Sequence, residues 1–313
     1  MGTTGATATH TGSVPGSELD AEVRIEARRW GARTTISARS VLVTVLGDVI
    51  APTGGSVWLA DLFPLVEPFG FNHRLVRTSM YRLAAEHWVD NERIGRRSRY
   101  ALTGFGRDEF AAADARIYHH RPAVWDGSWT VVIPAADGDL RRHLGWRGFG
   151  ELAEGIMARP GSARDDLAPL FTRLGLPAPP PVAVARFDDV NGLIAADGYR
   201  DTSGLADTET AYREFLDRHR WSDPEALATL DPEAAFLVRT MVVHDFRRAR
   251  LRDPDLPPEL LPAGWVGERA RRQAATVYRA VAAASWRWIG SVTDLHPDPD
   301  HPHLAGRFAA GGR

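Results

Sequence analysis

Seven arginines fall between residues 72 and 99, at positions 74, 77, 82, 93, 96, 97 and 99, against three acids, Glu86, Asp90 and Glu92. The stretch thus holds a local excess of four positive charges in a chain whose formal charge is −2. Guanidinium groups at this density do little for acid–base or nucleophilic catalysis, but they suit phosphate and the acceptor edges of bases. Arg74 and Arg77 stand three apart and share a helix face, so either can fork onto a guanine edge. Asn72 and Thr78 add polar groups for bases or phosphates, and Arg82 extends the same face. His73 and Tyr81 fit either a nucleic-acid contact or packing. Gly95-Arg96-Arg97-Ser98-Arg99 is a basic turn able to lay Arg96, Arg97 and Arg99 against a neighbouring backbone or minor groove. All 38 basic residues are arginine, so arginine here is the only strong cation available and its fork geometry is not evidence of selection.

The elements that must hold these residues are legible nearby. Ser37 is placed to cap a helix on which Val41, Leu42, Val45, Leu46 and Val49 recur at helical spacing, ended by Pro52 and Gly54-Gly55. Leu59, Leu62, Phe63 and Val66 fit a second short helix. Asn72 can cap a third, through residue 88, whose apolar face reads Leu75, Val76, Met80, Leu83 and Ala84. The period then changes from 3.6 to 2: a strand led by Trp88-Val89, a turn around Gly95, and a return through Tyr100-Ala101-Leu102. Thr103 caps the next helix. Three helices, a hairpin and a helix describe a winged helix-turn-helix. A basic helix face alone is commonly a solvated surface, whereas a basic helix and a basic hairpin in this order point to duplex DNA.

The remainder predicts an α+β chain. Residues 129–134 read as a buried strand, 150–160 and 181–190 as further strands, with helices between them, in the β-α-β halves of a small ferredoxin-like domain. From 204 onward the pattern is helical, with Asp223-Pro224-Glu225 and Asp231-Pro232-Glu233 each opening a helix by an N-cap followed by proline. The expected organisation is a flexible tail over 1–35, a winged helix over 36–120, a ferredoxin-like middle domain over 121–200, a helical C-terminal effector or dimerisation domain over 201–295, and a polar tail over 296–313.

Composition narrows the function classes. There is no cysteine, which excludes disulfides, thiolate metal sites and thiol catalysis. The N-terminus lacks a basic start and an apolar core, and no run approaches the ~18 apolar residues of a membrane span, so a cytoplasmic protein is expected. No phosphate-cradling glycine loop, GxSxG or HExxH is present, and no enzyme is expected. His296, Asp298, Asp300, His301 and His303 resemble metal ligands in type, but the alternating prolines hold such a segment extended, so no metal or cofactor is expected. The competing class is an RNA-binding or protein-interaction module built on the ferredoxin-like domain. Against it, no exposed aromatic pair for base stacking is visible, and Trp125 and Trp129 read as core.

ARSVLVTVLGDVI, FGFNHRLVRTSMYRLAAEHWV and RIGRRSRYALTGFGRDEF resemble the N-terminal domain of the PaaX-type regulators, the phenylacetic-acid degradation repressor family. WDGSWTVVI resembles the opening of that family's middle domain, and HDFRRARLRDPDLPPELLPAGWVGERA its C-terminal signature. The resemblance spans roughly residues 36 to 290. It implies a bacterial homodimeric repressor that binds a palindromic operator in a catabolic promoter and is released by an effector such as phenylacetyl-CoA or a related acyl-CoA. The family's middle domain in turn resembles a spacer-acquisition nuclease of CRISPR systems, whose first strand ends in a metal-binding Asp. Here that strand ends Ile133-Pro134-Ala135, with Asp126 before it, so a nuclease site is not expected. For a CoA ester, His244, Arg247, Arg248 and Arg252 can meet phosphate and Trp265 can line an acyl or aromatic pocket. The other reading of this segment is structural: Asp245 with Arg248, or Asp253 and Asp255 with nearby arginines, as ion pairs that fix the helix to its proline-rich turn.

Overall fold

The computed structural model describes residues 15–119, 125–134, 138–145, 147–162, 164–187, 204–219, 223–295, 304 and 306–308. Among them are eleven α-helices and two small antiparallel sheets, an α+β fold. The chain divides into two compact units, neither contiguous: one of residues 1–109, 221–242 and 276–304, the other of 110–220, 243–275 and 305–313.

In the first unit, α1 (Pro15–Gly31) lies where the sequence suggested a flexible tail. It is held because Val23, Ala27 and Trp30 recur at helical spacing and are buried, Trp30 meeting Phe69 edge-on at 5.3 Å. Arg24 pairs with Asp231 at 2.5 Å and Glu233 at 2.8 Å. α2 (Ala38–Val45) starts as expected from Ser37, whose hydroxyl accepts from the Ser40 N–H in a reciprocal capping box. It runs into a π-helical turn, Leu46–Ile50, and a 3-10 turn that ends at Gly54 and Gly55, both at positive φ. The short helix expected from Leu59 to Val66 opens with a 3-10 turn, Leu59–Asp61, and a strand that the sequence did not signal precedes it. Ser56–Trp58 forms that strand, β1, antiparallel to the later hairpin, and only Leu62–Val66 is α-helical (α3).

α4 (His73–Ala85) is capped by Asn72, whose side-chain oxygen accepts from the Leu75 N–H at 3.0 Å. It stops three residues short of the predicted end. His87 takes a left-handed φ of 61°, and the N–H groups of Glu86, His87 and Trp88 return to carbonyls of the last turn. β2 (Val89–Ile94) and β3 (Arg97–Leu102) then pair in continuous register, Ile94 opposite Arg97. The turn expected around Gly95 is thus a two-residue loop, Gly95-Arg96. Gly95 has φ 62°, which a hairpin turn of this length demands at its first position. The sheet order is β1-β3-β2. α5 (Gly104–Tyr118) begins at Thr103, whose hydroxyl accepts from the Gly106 N–H at 2.9 Å. Gly106 lies so close to the Trp88 carbonyl that a Cβ there would stand 2.1 Å from its oxygen.

The second unit carries a sheet ordered β5-β6-β4-β7 with every neighbouring pair antiparallel. Along the chain β4 (Ser128–Val132) is followed by α6 (Gly138–Gly145), β5 (Gly150–Ala153), β6 (Ile156–Pro160), α7 (Arg164–Arg173) and β7 (Val182–Arg186). The single strand expected over 150–160 is a tight hairpin, broken where Gly155 takes φ 78°. Both faces of the central strands β4 and β6 are covered. Val132 and Met157 pack with Leu140, Leu144, Leu167, Leu170 and Phe171 of α6 and α7, while Trp129 and Ala158 pack with Leu205, Leu256 and Leu260. This two-sided burial is why β4 is buried nearly throughout, its polar Ser128 and Thr130 hydroxyls donating to the Asp126 carboxylate and the Gly161 carbonyl. Trp129 is core as predicted; Trp125 is only half-buried, edge-on to it at 6.0 Å.

The late helices are α8 (Leu205–Arg218), α9 (Pro224–Ala228), α10 (Pro232–Arg250) and α11 (Gly267–Val292). Asp223 and Asp231 cap α9 and α10 as their Asp-Pro-Glu motifs predict, accepting from the Glu225 and Ala234 N–H groups at 3.0 and 2.8 Å. Beyond α11 the polar-tail reading is corrected at its far end. Arg307 donates to Asp114 at 2.6 Å and lies 4.2 Å over the Tyr118 ring, and buried Phe308 meets Tyr118 edge-on. The His/Asp run at 296–303 lies outside the described residues.

Candidate nucleic-acid interface

α4 is two-faced. Val76, Ser79, Met80 and Leu83 are buried, and the opposite side presents His73, Arg74, Arg77, Thr78, Tyr81 and Arg82 to solvent. Asn72 at its start and Arg96, Arg97 and Arg99 on the adjoining hairpin are exposed as well, so all ten residues singled out from the sequence lie at the surface of one unit.

Local contacts aim several of them. The His73 ring stacks on Phe63 of α3 at 3.8 Å, with Nε2 3.3 Å from Glu67, and the Arg77 guanidinium lies 5.4 Å over the same Phe63 ring. Arg97 lies 4.1 Å over Trp58 of β1 and pairs with Asp294 at 3.4 Å. Arg99 donates to the Ser56 hydroxyl at 2.8 Å, and Arg93 to the Gly95 carbonyl at 3.3 Å. Aromatic surfaces from α3 and β1 thus support cations on the helix and the hairpin. Arg39 of α2 pairs with Glu86 just past α4, which ties the two helices together.

The two open alternatives resolve differently. Tyr81 is 74 % exposed and is not a packing residue, whereas His73 has both an exposed edge and a stacking partner. Leu75, assigned to the apolar face by periodicity, is 45 % exposed. At about 100° per residue it falls about 80° outside the arc that Val76, Met80 and Leu83 define.

The second unit contains a cavity of about 960 Å³ bordered by Trp125, Tyr212, Leu256, Leu261 and Trp265, with Arg116, Arg159, Arg250, Arg271, Asp253 and Asp255 at its polar side. Arg116 donates to the Asp253 carbonyl at 2.7 Å and pairs with Asp255 at 3.3 Å, while Arg250 pairs with Asp255 at 2.5 Å. The Tyr212 hydroxyl donates to the Asp253 carboxylate at 2.9 Å; burial and that carboxylate push the phenol well above its ordinary range. Burial likewise pushes the Asp253 carboxyl up and the Arg116 guanidinium down. Of the five residues read as effector contacts, only Trp265 borders this space. His244 is fully buried, Arg247 and Arg248 are partly buried on α10, and Arg252 is exposed beyond its end. The expected Asp245–Arg248 pairing is not what satisfies Asp245, which instead pairs with Arg218 and His219, each at 2.9 Å. The expectation that Asp253 and Asp255 pair with nearby arginines holds, through Arg250 and Arg116. Arg116, Arg159 and Tyr212 were missed because they come from three segments far apart in sequence, with no shared motif.

Among the described residues, no group of three or more His, Asp or Glu side chains is arranged to hold a metal ion, and no helix is long and apolar enough to cross a membrane.

An outward basic helix beside a basic hairpin has the charge and shape that suit a polyanion. The chain belongs to the PaaX-like protein family, whose model matches residues 37–106 and whose C-terminal domain model matches residues 204–291. It is 34 % identical over 269 residues to the transcriptional repressor PaaX of Escherichia coli, covering 81 % of this chain and 83 % of that one. Among solved structures it matches the uncharacterized protein Rv0674 of Mycobacterium tuberculosis, with 26 % identity, 79 % of this chain and 98 % of the other covered, and a TM-score of 0.47.

Proposed function

We propose that this protein is a DNA-binding transcriptional repressor of the bacterial cytoplasm, in which α4 enters the major groove and the β2–β3 hairpin lies against the flanking backbone. The observation that carries the reading is the division of α4: one side is buried, while the other offers Arg74, Arg77, Thr78, Tyr81 and Arg82 beside the exposed Arg96, Arg97 and Arg99. The name of the E. coli relative supports it. The helix–helix–helix–hairpin order supports a winged helix over residues 36–120. The split β-α-β order of the second sheet supports a ferredoxin-like middle domain over 121–200, followed by the helical C-terminal domain over 201–295. As a homodimer, the protein would set two recognition helices about 34 Å apart on a palindromic operator of a catabolic promoter.

An acyl-CoA-type effector, with phenylacetyl-CoA as the first candidate, would occupy the cavity bordered by Trp265. The aromatic and proline walls suit an aryl or acyl group, and the arginines suit its anionic part. To move the protein from mostly bound to mostly free, it must favour the released state by roughly 10²–10⁴-fold. The test is fluorescence anisotropy on duplex DNA from the gene's own upstream region, across a salt series, with and without phenylacetyl-CoA. Tight, steeply salt-dependent binding released by the ligand is the expected result. Trp265→Ala is expected to raise the ligand concentration needed for release about tenfold without changing DNA affinity. Duplex binding that ignores phenylacetyl-CoA retains the repressor and discards the effector.

The same assay separates base reading from backbone contact. Arg77→Ala is expected to weaken specific binding by about 1–3 kcal/mol and random-duplex binding much less. Arg96→Ala should weaken both alike and reduce the salt slope by about one unit. Equal behaviour of the two variants would remove this division of labour.

A further inference from the structure

We infer that Leu75 is a specificity-determining residue that reads the methyl group of a thymine in the major groove. The inference rests on the DNA-binding role proposed for α4 and adds a base identity to it.

Leu75 is one of the few large apolar side chains left exposed among the described residues, at 45 %, and it stands in the first turn of the helix. Its place is fixed by the Asn72 cap, which engages the Leu75 N–H itself. Thr78 lies one turn further on the same strip, and Arg74 lies one turn back from Thr78. The exposed N-terminal strip of α4 therefore runs arginine, threonine, leucine. His73 and Arg77, on the other edge, are the ones braced on Phe63.

An exposed leucine within a cationic surface loses hydration free energy with no return in the free protein. The surrounding charge fixes the occupant as a polyanion, and the major groove offers one apolar group among its base edges, the thymine C5-methyl. The strip's chemistry is thus complementary to a guanine, read by Arg74, lying close to a thymine, covered by Leu75.

Duplexes enriched from a random library by the wild-type protein are the probe, with each thymine replaced singly by deoxyuridine, which removes only the methyl group. For the wild type, one substitution per half-site is expected to weaken binding on the order of three- to fivefold, the worth of one buried methyl. For Leu75→Ala the same substitution should change affinity by less than about 1.5-fold, with binding to random duplex unchanged. If wild-type protein binds the enriched duplex but the deoxyuridine scan is flat, or if the loss persists undiminished in Leu75→Ala, the thymine assignment is overturned while the repressor reading stands. If the library yields no enriched duplex, both fall.

Discussion

Replacing Arg239 by alanine is expected to lower the stability of the unit that carries α4 by about 3–5 kcal/mol, among the largest effects a single substitution can have here. Arg239 is fully buried and Asp48 nearly so. The guanidinium donates to the Asp48 carboxylate at 2.8 Å, to the Asp48 carbonyl at 3.3 Å and to the Ser285 hydroxyl at 3.0 Å, and it lies 4.1 Å over the Trp286 ring. Asp48 belongs to the π-helical turn Leu46–Ile50 that continues α2, so the pair joins the first helix of the DNA-facing motif to α10 and α11. Alanine would take from a buried carboxylate and a backbone carbonyl the donors that Arg239 supplies. The pair need not be net stabilising relative to an apolar filling, and this gives the control: Arg239→Met with Asp48→Leu should recover most of the loss. Urea unfolding followed by tryptophan fluorescence measures both. A loss under about 1 kcal/mol for Arg239→Ala would mean that the carboxylate finds water or relaxes.

That pair also marks the limit of what the sequence made legible. Signals that act within a few residues were readable: the caps at Ser37, Asn72, Thr103, Asp223 and Asp231, the switch from period 3.6 to 2 after α4, and the basic hairpin. Each depends on a local hydrogen bond or on one face of one element. Asp48 and Arg239 are 191 residues apart, and nothing in either neighbourhood signals the other. The same holds for Arg307 with Asp114 and for α1, which is fixed by Asp231 and Glu233 from a distant segment. Short elements failed for another reason. β1 has three residues and exists only because β3 pairs with it, and Gly155 splits 150–160 through its backbone angle rather than through any break in apolar pattern. At the candidate site, the polar face of α4 was legible and one apolar residue was misplaced, because Leu75 adjoins Val76 in sequence but not in angle. The cavity was reached only through Trp265, since its remaining walls are assembled by tertiary structure.

The second large effect is a loss of stability in acid that should trace to His244. Its side chain is fully buried on α10 in the second unit. Burial first, then the positive charges of Arg247 and Arg248, lower its pKa to about 3, with Asp245 opposing the shift. An unfolded histidine takes up its proton near pH 6.5. Between those values the unfolded chain binds a proton that the folded chain refuses, so stability is complete above pH 6.5 and falls as pH drops towards 3. The slope approaches about 1.4 kcal/mol per pH unit, and the full window is worth at most about 4–5 kcal/mol. Neighbouring Asp245 acts in the same direction at lower pH. Burial pushes its carboxyl up, but the His219 hydrogen bond and the charges of His219 and Arg218 outweigh this and hold it well below the ordinary carboxylate range. Its contribution is present above pH about 4 and is lost only below it. The two can therefore be separated. His244→Leu, which keeps the volume and removes the titration, should flatten the dependence of unfolding free energy between pH 6 and 4 by about one proton, leaving the steeper fall below pH 4 in place. Parallel curves for wild type and His244→Leu over pH 6 to 4 would show that the imidazole is protonated in the folded state as readily as in the unfolded one.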